Sequence, residues 1–213
     1  MYKLVLFDLD GTLLDSDSMV VAEFSDLFKK YRPDYHPSIE HMMTFSGPAL
    51  MDTMSNEFPN QDPEKMCEEF TRLNPSYLEK YCKFYPYVKE MLDDLRRLGV
   101  HFAIVTNKER PQTNHCCKLF PLLSEFDTII TSTDIDAIKP DPKGVYFAME
   151  KYGITSKEEV IYVGDGQKDM ETSVNAGIDF AFVKWSPRKI SDYSKVTHYI
   201  SSFKEFTKEI NLE

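Results

Sequence analysis

Five short apolar runs, each cut off by a polar residue or a glycine and separated from the next by helical patterning, constrain this chain more than any other feature. They fall at residues 4–7, 101–105, 126–130, 160–163 and 180–183, bounded by Gly, Asp, Asn or Pro. Runs of this kind are what strands buried on both faces of a parallel sheet look like. Between them the period changes. Residues 86–98 put Val88, Met91, Leu92, Leu95 and Leu98 on one helical face, with Pro86 suited to a first turn and Gly99 to the position just past the end. The alternation predicts an α/β fold, a parallel sheet flanked by helices, with ligand sites beyond the carboxyl ends of the strands.

One region breaks the alternation. Residues 16–84 carry no strand pattern but several helical segments separated by Pro33, Pro37, Pro48, Pro59 and Pro63. One of them opens on Asp62-Pro63-Glu64, a capping residue, a first-turn proline and an early acid. The expected organisation is a core of residues 1–15 and 85–213 with a helical cap domain, residues 16–84, inserted through linkers at 14–17 and 83–86. Residues 197–213 are expected to add a short strand and a helix. A chain of 213 residues, 42% hydrophobic and 28% charged, is long enough for such a core with an insertion.

Why would a buried strand end on charge? The stretch "LVLFDLDGTLLDSD" places Asp8 and Asp10 directly after the first apolar run. Side chains two apart on an extended strand share a face, so both carboxylates can reach one ligand. Three further strand ends carry polar residues: "IVTNK" with Thr106, Asn107 and Lys108, "AIKPDP" with Lys139, and "YVGDGQKDM" with Asp165 and Asp169. Singly, each is ordinary turn or cap chemistry. Together, at successive strand ends, they form a constellation. A net charge of −10 argues against a nucleic-acid binder, and any anion site must be made locally positive.

In these motifs the chain resembles the haloacid dehalogenase superfamily of phosphohydrolases: "DLDGT", the Thr of "VTN", the Lys of "IKPDP" and "GDGQKD" match its four motifs in order. The helical insertion resembles the family's small α-helical cap, and "FSGPAL" at 45–50 resembles the Gly-Pro cap segment of phosphoglycolate-phosphatase-like members. The resemblance implies a Mg²⁺-dependent phosphatase acting on a small phosphorylated metabolite. Asp8 would be the nucleophile and Asp10 the general acid and base. Thr106, Asn107 and Lys139 would bind the phosphoryl group, and Gly47 the leaving group. The metal would be held by Asp8, the Asp10 carbonyl and Asp165, with Asp169 as direct or water-mediated support. Relatives that cleave carbon–halogen or phosphonate bonds lack the carboxylate at the position of Asp10, which this chain keeps. A sugar phosphomutase of the β-phosphoglucomutase type and an inorganic pyrophosphatase share every one of these core motifs and stand as alternatives, as does a non-catalytic binding module of the same fold. The cap, opening and closing on its linkers, is expected to choose the substrate.

The remaining polar residues carry weaker signals. His36, His41, His101, His115 and His198 have no metal-ligand spacing and read as surface or structural. Asp15 and Asp17 read as caps of the first cap helix. Phe70, Tyr77, Tyr81, Phe84, Tyr85 and Tyr87 read as cap packing and hinge contacts. Cys67, Cys82, Cys116 and Cys117 form no C-x-x-C pair. With no visible secretion signal and no apolar run of membrane-spanning length, the expectation is a cytoplasmic monomer or homodimer with no membrane or nucleic-acid partner.

Overall fold

The computed structural model describes residues 1–46 and 50–212. From the N-terminus, β1 (Leu4–Phe7) leads through β2 (Leu14–Asp15) into α1 (Asp17–Tyr31), α2 (Ile39–Met43), α3 (Leu50–Glu57) and α4 (Pro63–Tyr81). The chain then runs through β3 (Lys83–Phe84), α5 (Val88–Arg97), β4 (His101–Thr106), α6 (Arg110–Leu119), β5 (Thr128–Thr131), α7 (Ser132–Ile135) and α8 (Lys143–Lys151). It ends with β6 (Val160–Gly164), α9 (Gln167–Ala176), β7 (Asp179–Val183), β8 (His198–Ile200) and α10 (Phe206–Glu209). It divides into two compact units, Met1–Leu13 with Phe84–Glu213, and Leu14–Lys83. No helix among the described residues is long and apolar enough to cross a membrane.

In the first unit the strands order β5-β4-β1-β6-β7-β8, and every neighbouring pair is parallel. The order reverses at β1: β4 and then β5 are laid down on one side of it, and β6, β7 and β8 on the other. A reversal of this kind opens a crevice at the carboxyl end of the sheet, and Asp8 follows immediately on β1. All four residues of β1 are fully buried. Leu4 and Leu6 join Val145, Ala148, Tyr162, Met170 and Phe180 in one core cluster. On the opposite face Phe7 meets Phe126, Phe203 and Phe206 at ring distances of 6.0, 6.3 and 5.6 Å. Each such buried side chain contributes about 1.5–3 kcal/mol, so β1 is a firmly anchored place to mount a charge.

Several local expectations shift. Helix α5 begins at Val88 rather than Pro86, because Tyr87 takes a left-handed conformation (φ 68°) at its N-cap. Val88, Met91, Leu92 and Leu95 are buried as the period demands, but Leu98 has passed into the C-cap and is exposed. Gly99 follows with φ +71°, the conformation that suits glycine just past a helix. The strand expected at 126–130 begins at Thr128, since a 3₁₀ turn at Pro121–Glu125 uses up the preceding residues. The C-terminal strand and helix are present as β8 and α10.

The second unit is helical except at its ends, where β2 and the first residue of β3 fall, the latter a short strand within the span expected to carry none, and Phe24 of α1 gathers its aromatic side chains. Its ring meets Phe45, Phe58 and Phe70 at 4.7, 6.4 and 5.2 Å. Asp62 caps α4 as expected, its carboxylate accepting from the backbone N–H of Glu64 and Lys65. Asp15 takes the N–H and hydroxyl of Ser18, whereas Asp17 is buried as the first residue of α1. Of the aromatics read as hinge contacts, Phe84 and Tyr85 pack within the first unit, on Phe120 and Trp185.

Candidate active site

The site grows from the ends of β1, β4 and β6 and from the loop that follows α7. After Phe7, the Asp8 N–H donates to the Val163 carbonyl at 2.9 Å, which carries the β1–β6 ladder one residue past β1 and fixes the Asp8 backbone. The chain then turns at Gly11, whose φ of +81° favours glycine. A side chain there would also come within 2.8 Å of the Arg188 guanidinium and the Asp165 carboxyl carbon, so backbone conformation and space both require the Gly of "DLDGT".

Lys139 lies at the centre. Its Nζ stands 2.6 Å from Asp8 Oδ1 and 2.6 Å from Asp169 Oδ1. All three side chains are buried. Burial opposes the lysine's charge, but the Asp169 and Asp8 carboxylates outweigh it and hold the ammonium well above its ordinary value. Burial pushes the Asp8 carboxyl up to about 7, against the pull of Lys139. Beneath it the Tyr162 ring centroid lies 5.6 Å from Nζ, with the phenol donating to the Val105 carbonyl at 2.6 Å.

Asp169 organises the cluster. While Oδ1 faces Lys139, Oδ2 accepts from the backbone N–H groups of Asp165 and Gly166 at 3.0 and 3.1 Å, closing the first turn of α9. A Cβ on Gly164 would lie 2.5 Å from the Asp169 carboxyl carbon, so this glycine is what lets the acid fold back over β6. Asp165 is buried, its carbonyl accepting from Ser186 and its carboxylate ion-paired with Arg188.

Thr106 ends β4, buried, its hydroxyl accepting from the Lys108 N–H at 3.2 Å. Asn107 uses its side chain to hold the lysine loop: Oδ1 accepts from Lys139 N at 2.6 Å and Nδ2 donates to Lys139 O at 3.4 Å. Lys108 reaches Asp10, with Nζ 3.0 Å from Oδ2, and Asp10 Oδ1 is buried without a hydrogen-bond partner. Burial raises the Cys116 thiol to about 11, so it is held as a neutral thiol. Gly47, expected to meet the leaving group, lies outside the described residues, as does Pro48.

Thus Asp8, Lys139, Asp165 and Asp169 come together, with Asp10, Thr106 and Asn107 on the adjoining strand ends. One oxygen each of Asp8, Asp165 and Asp169 lies within 4.8 Å of the others. This all-oxygen, buried set fits a hard divalent cation such as Mg²⁺, and no nitrogen or sulfur donor competes within it. Motif reading missed Arg188, Tyr162 and the side-chain role of Asn107, and it placed Lys108 at the strand end without giving it a role. Arg188 and Tyr162 lie in no motif, and the Asn107 side chain had no signal pointing it at Lys139.

Strand ends and the loop after α7 thus converge on a lysine-bridged carboxylate cluster at the carboxyl end of a parallel sheet. A family model described as haloacid dehalogenase-like hydrolase matches residues 5–183, and the chain belongs to that family. The chain is 32% identical over 201 residues to the pyrophosphatase PpaX of Oceanobacillus iheyensis, covering 94% of this chain and 89% of that protein. Among solved structures, a haloacid dehalogenase-like protein of unknown function from Agrobacterium tumefaciens superposes with a TM-score of 0.82 at 21% identity, covering 100% of this chain and 99% of that one. A predicted phosphoglycolate phosphatase from Haemophilus somnus does so with a TM-score of 0.80 at 24% identity, covering 97% of each chain. At those identities the superpositions speak for the fold alone.

Proposed function

We propose that the chain is a Mg²⁺-dependent phosphatase that hydrolyses a small phosphorylated metabolite through an aspartyl-phosphate on Asp8. The observation that carries this reading is the Lys139 bridge: a cation 2.6 Å from Asp8 and held in place by Asp169 relieves the repulsion between a carboxylate nucleophile and an anionic phosphoryl group. In the first step an Asp8 oxygen bonds to phosphorus while the bond to the leaving oxygen breaks, and Asp10 gives that oxygen its proton. In the second, Asp10 takes a proton from water, the water oxygen bonds to phosphorus, and Asp8 is released as a carboxylate. Thr106 and the Asn107 N–H bind the remaining phosphoryl oxygens, and Lys139 neutralises charge throughout. Asp8, Asp165 and the Asp10 carbonyl would hold the metal, which supplies Lewis-acid stabilisation of the phosphoryl oxygens when bound. Asp169 has both oxygens committed to Lys139 and to backbone N–H groups, so it acts as a positioning residue.

Pyrophosphate is the second reading for the substrate. Two observations favour it: the name carried by a 32% identical relative, and Lys108 beside Asp10, which adds positive charge where an anionic leaving group departs. Incubation with phosphoglycolate, pyrophosphate and β-glucose 1-phosphate in the presence of Mg²⁺ separates the readings. Phosphate release from the first or second supports hydrolysis and ranks the two. Glucose 6-phosphate without free phosphate makes the protein a mutase. Silence across a broad phosphoester panel makes it a non-catalytic member of the fold. Activity is expected in the cytoplasm, on a free small molecule.

A further inference from the structure

The loop after β7, residues 184–192, matches none of the motifs, yet it is bonded to both acidic strand ends. Trp185 Nε1 donates to the Gly11 carbonyl at 3.2 Å, and Ser186 Oγ donates to the Asp165 carbonyl at 2.7 Å. The Arg188 N–H donates to Ser186 Oγ at 3.1 Å, and the Ser191 N–H donates to Gln167 Oε1 at 2.6 Å. So tethered, the loop delivers the Arg188 guanidinium onto the Asp165 carboxylate, and Gly11 leaves the room it needs. Lysine and arginine thus both stand against the clustered carboxylates. Lys139 serves Asp8 and Asp169, and Arg188 serves Asp165.

A carboxylate oxygen engaged by a guanidinium is not equally available to a divalent cation, and two cations brought to one carboxylate repel each other. The Asp165 pair is also shielded from solvent, with side-chain exposures of 19% for Arg188 and 6% for Asp165, so salt screens it weakly. We propose that Arg188 competes with the divalent metal for Asp165, so that metal loading exchanges one cation for another at this carboxylate. The inference rests on the reading of Asp165 as a metal ligand. It makes Arg188 a positioning residue that sets the metal concentration at which the site fills. Lys139 is not part of the exchange, because its partners are Asp8 and Asp169.

The test is a titration of the full chain with Mn²⁺, counting the free ion by its paramagnetic resonance signal, which needs no turnover. Arg188→Gln should bind Mn²⁺ about tenfold more tightly than wild type, the size of one charge-assisted contact. Arg188→Lys keeps the charge but loses the planar fork, and should tighten binding by about threefold. Equal or weaker binding by Arg188→Gln overturns the proposal, since the guanidinium would then be orienting Asp165 for the metal or be indifferent to it. If circular dichroism shows that Arg188→Gln does not fold, the same criterion applies to Arg188→Lys. A wild-type protein that binds no Mn²⁺, or binds it equally well as Asp165→Asn, overturns the metal assignment itself, a different result from unchanged affinity on replacing Arg188.

Discussion

Replacing Lys139 by methionine keeps a long, flexible side chain in place while deleting the charge, and it isolates what the lysine does for the fold from what it does for chemistry. Two contacts of 2.6 Å are lost, and Asp8 and Asp169 are left facing each other in a buried site. Breaking a buried ion pair by removing one partner costs about 3–5 kcal/mol. At about 2–4 °C per kcal/mol for a chain of this size, Tm should fall by about 6–20 °C. The loss should depend on pH. Burial already holds the Asp8 carboxyl up at about 7, and without Lys139 it goes higher. Its folded value lies above its unfolded one, so the protonated form favours folding: that stabilisation is fully present below about pH 4 and is lost as pH rises through 7 and beyond. Proton uptake by Asp8 then relieves the variant in acid and not in base. Thermal melts followed by far-ultraviolet circular dichroism, at about pH 5.5 and about pH 8.5 in chelator, should therefore show the larger deficit at the higher pH. A deficit under about 3 °C, or one equal at the two pH values, would refute the reasoning that Lys139 compensates buried carboxylate charge.

Asp8→Asn should abolish turnover, whereas Asp10→Asn should slow it by roughly 10²–10⁴-fold, the range for a lost general acid and base; an acyl-phosphate trap that labels a residue other than Asp8 contradicts both assignments. Gly164→Ala should displace Asp169, because the added Cβ would lie 2.5 Å from its carboxyl carbon, and phosphatase activity should drop by at least about tenfold, as for other disturbances of catalytic geometry; full activity in that variant shows that the Asp169 position is not required. In the helical unit, Glu23 is buried, with Oε1 unpartnered and Oε2 accepting from Asn74 at 3.1 Å, and burial pushes its carboxyl up to about 8. Its raised folded value makes a contribution that is present at low pH and lost as pH passes through about 8, so Glu23→Gln should flatten the fall of Tm across that range. Superimposable curves of Tm against pH for the two proteins would rule this out.

Local periodicity and short-range spacing make part of this protein legible before it folds. The buried strands are legible because both faces of a central parallel strand must be apolar, as in β1 with all four residues buried. Asp8 and Asp10 are legible because both follow directly on the buried apolar run, although the strand ends at Phe7 and the chain bends at Leu9, so they do not share a face by strand alternation. The start of α4 is legible because Asp62 and Pro63 act on their own neighbours. Lys139 and Asp165 were found only as members of a motif set, since nothing near them in sequence says that they meet residues 131 positions apart, as Lys139 and Asp8 do. Tertiary structure alone decided the rest. Leu98 has the right period for a core residue but lies one position beyond the last turn of α5, where no partner covers it. Tyr162 looks like any apolar strand residue until β6 is laid beside β1 and its ring comes under Lys139. Arg188 reads as a solvated loop charge, and it becomes the counterion of Asp165 only because the loop after β7 is tied to Gly11 and Asp165 across the sheet. A charge in a sequence has no address; it acquires one when the packing of an uncharged sheet brings its partner within reach and shuts out the water that would otherwise have satisfied both.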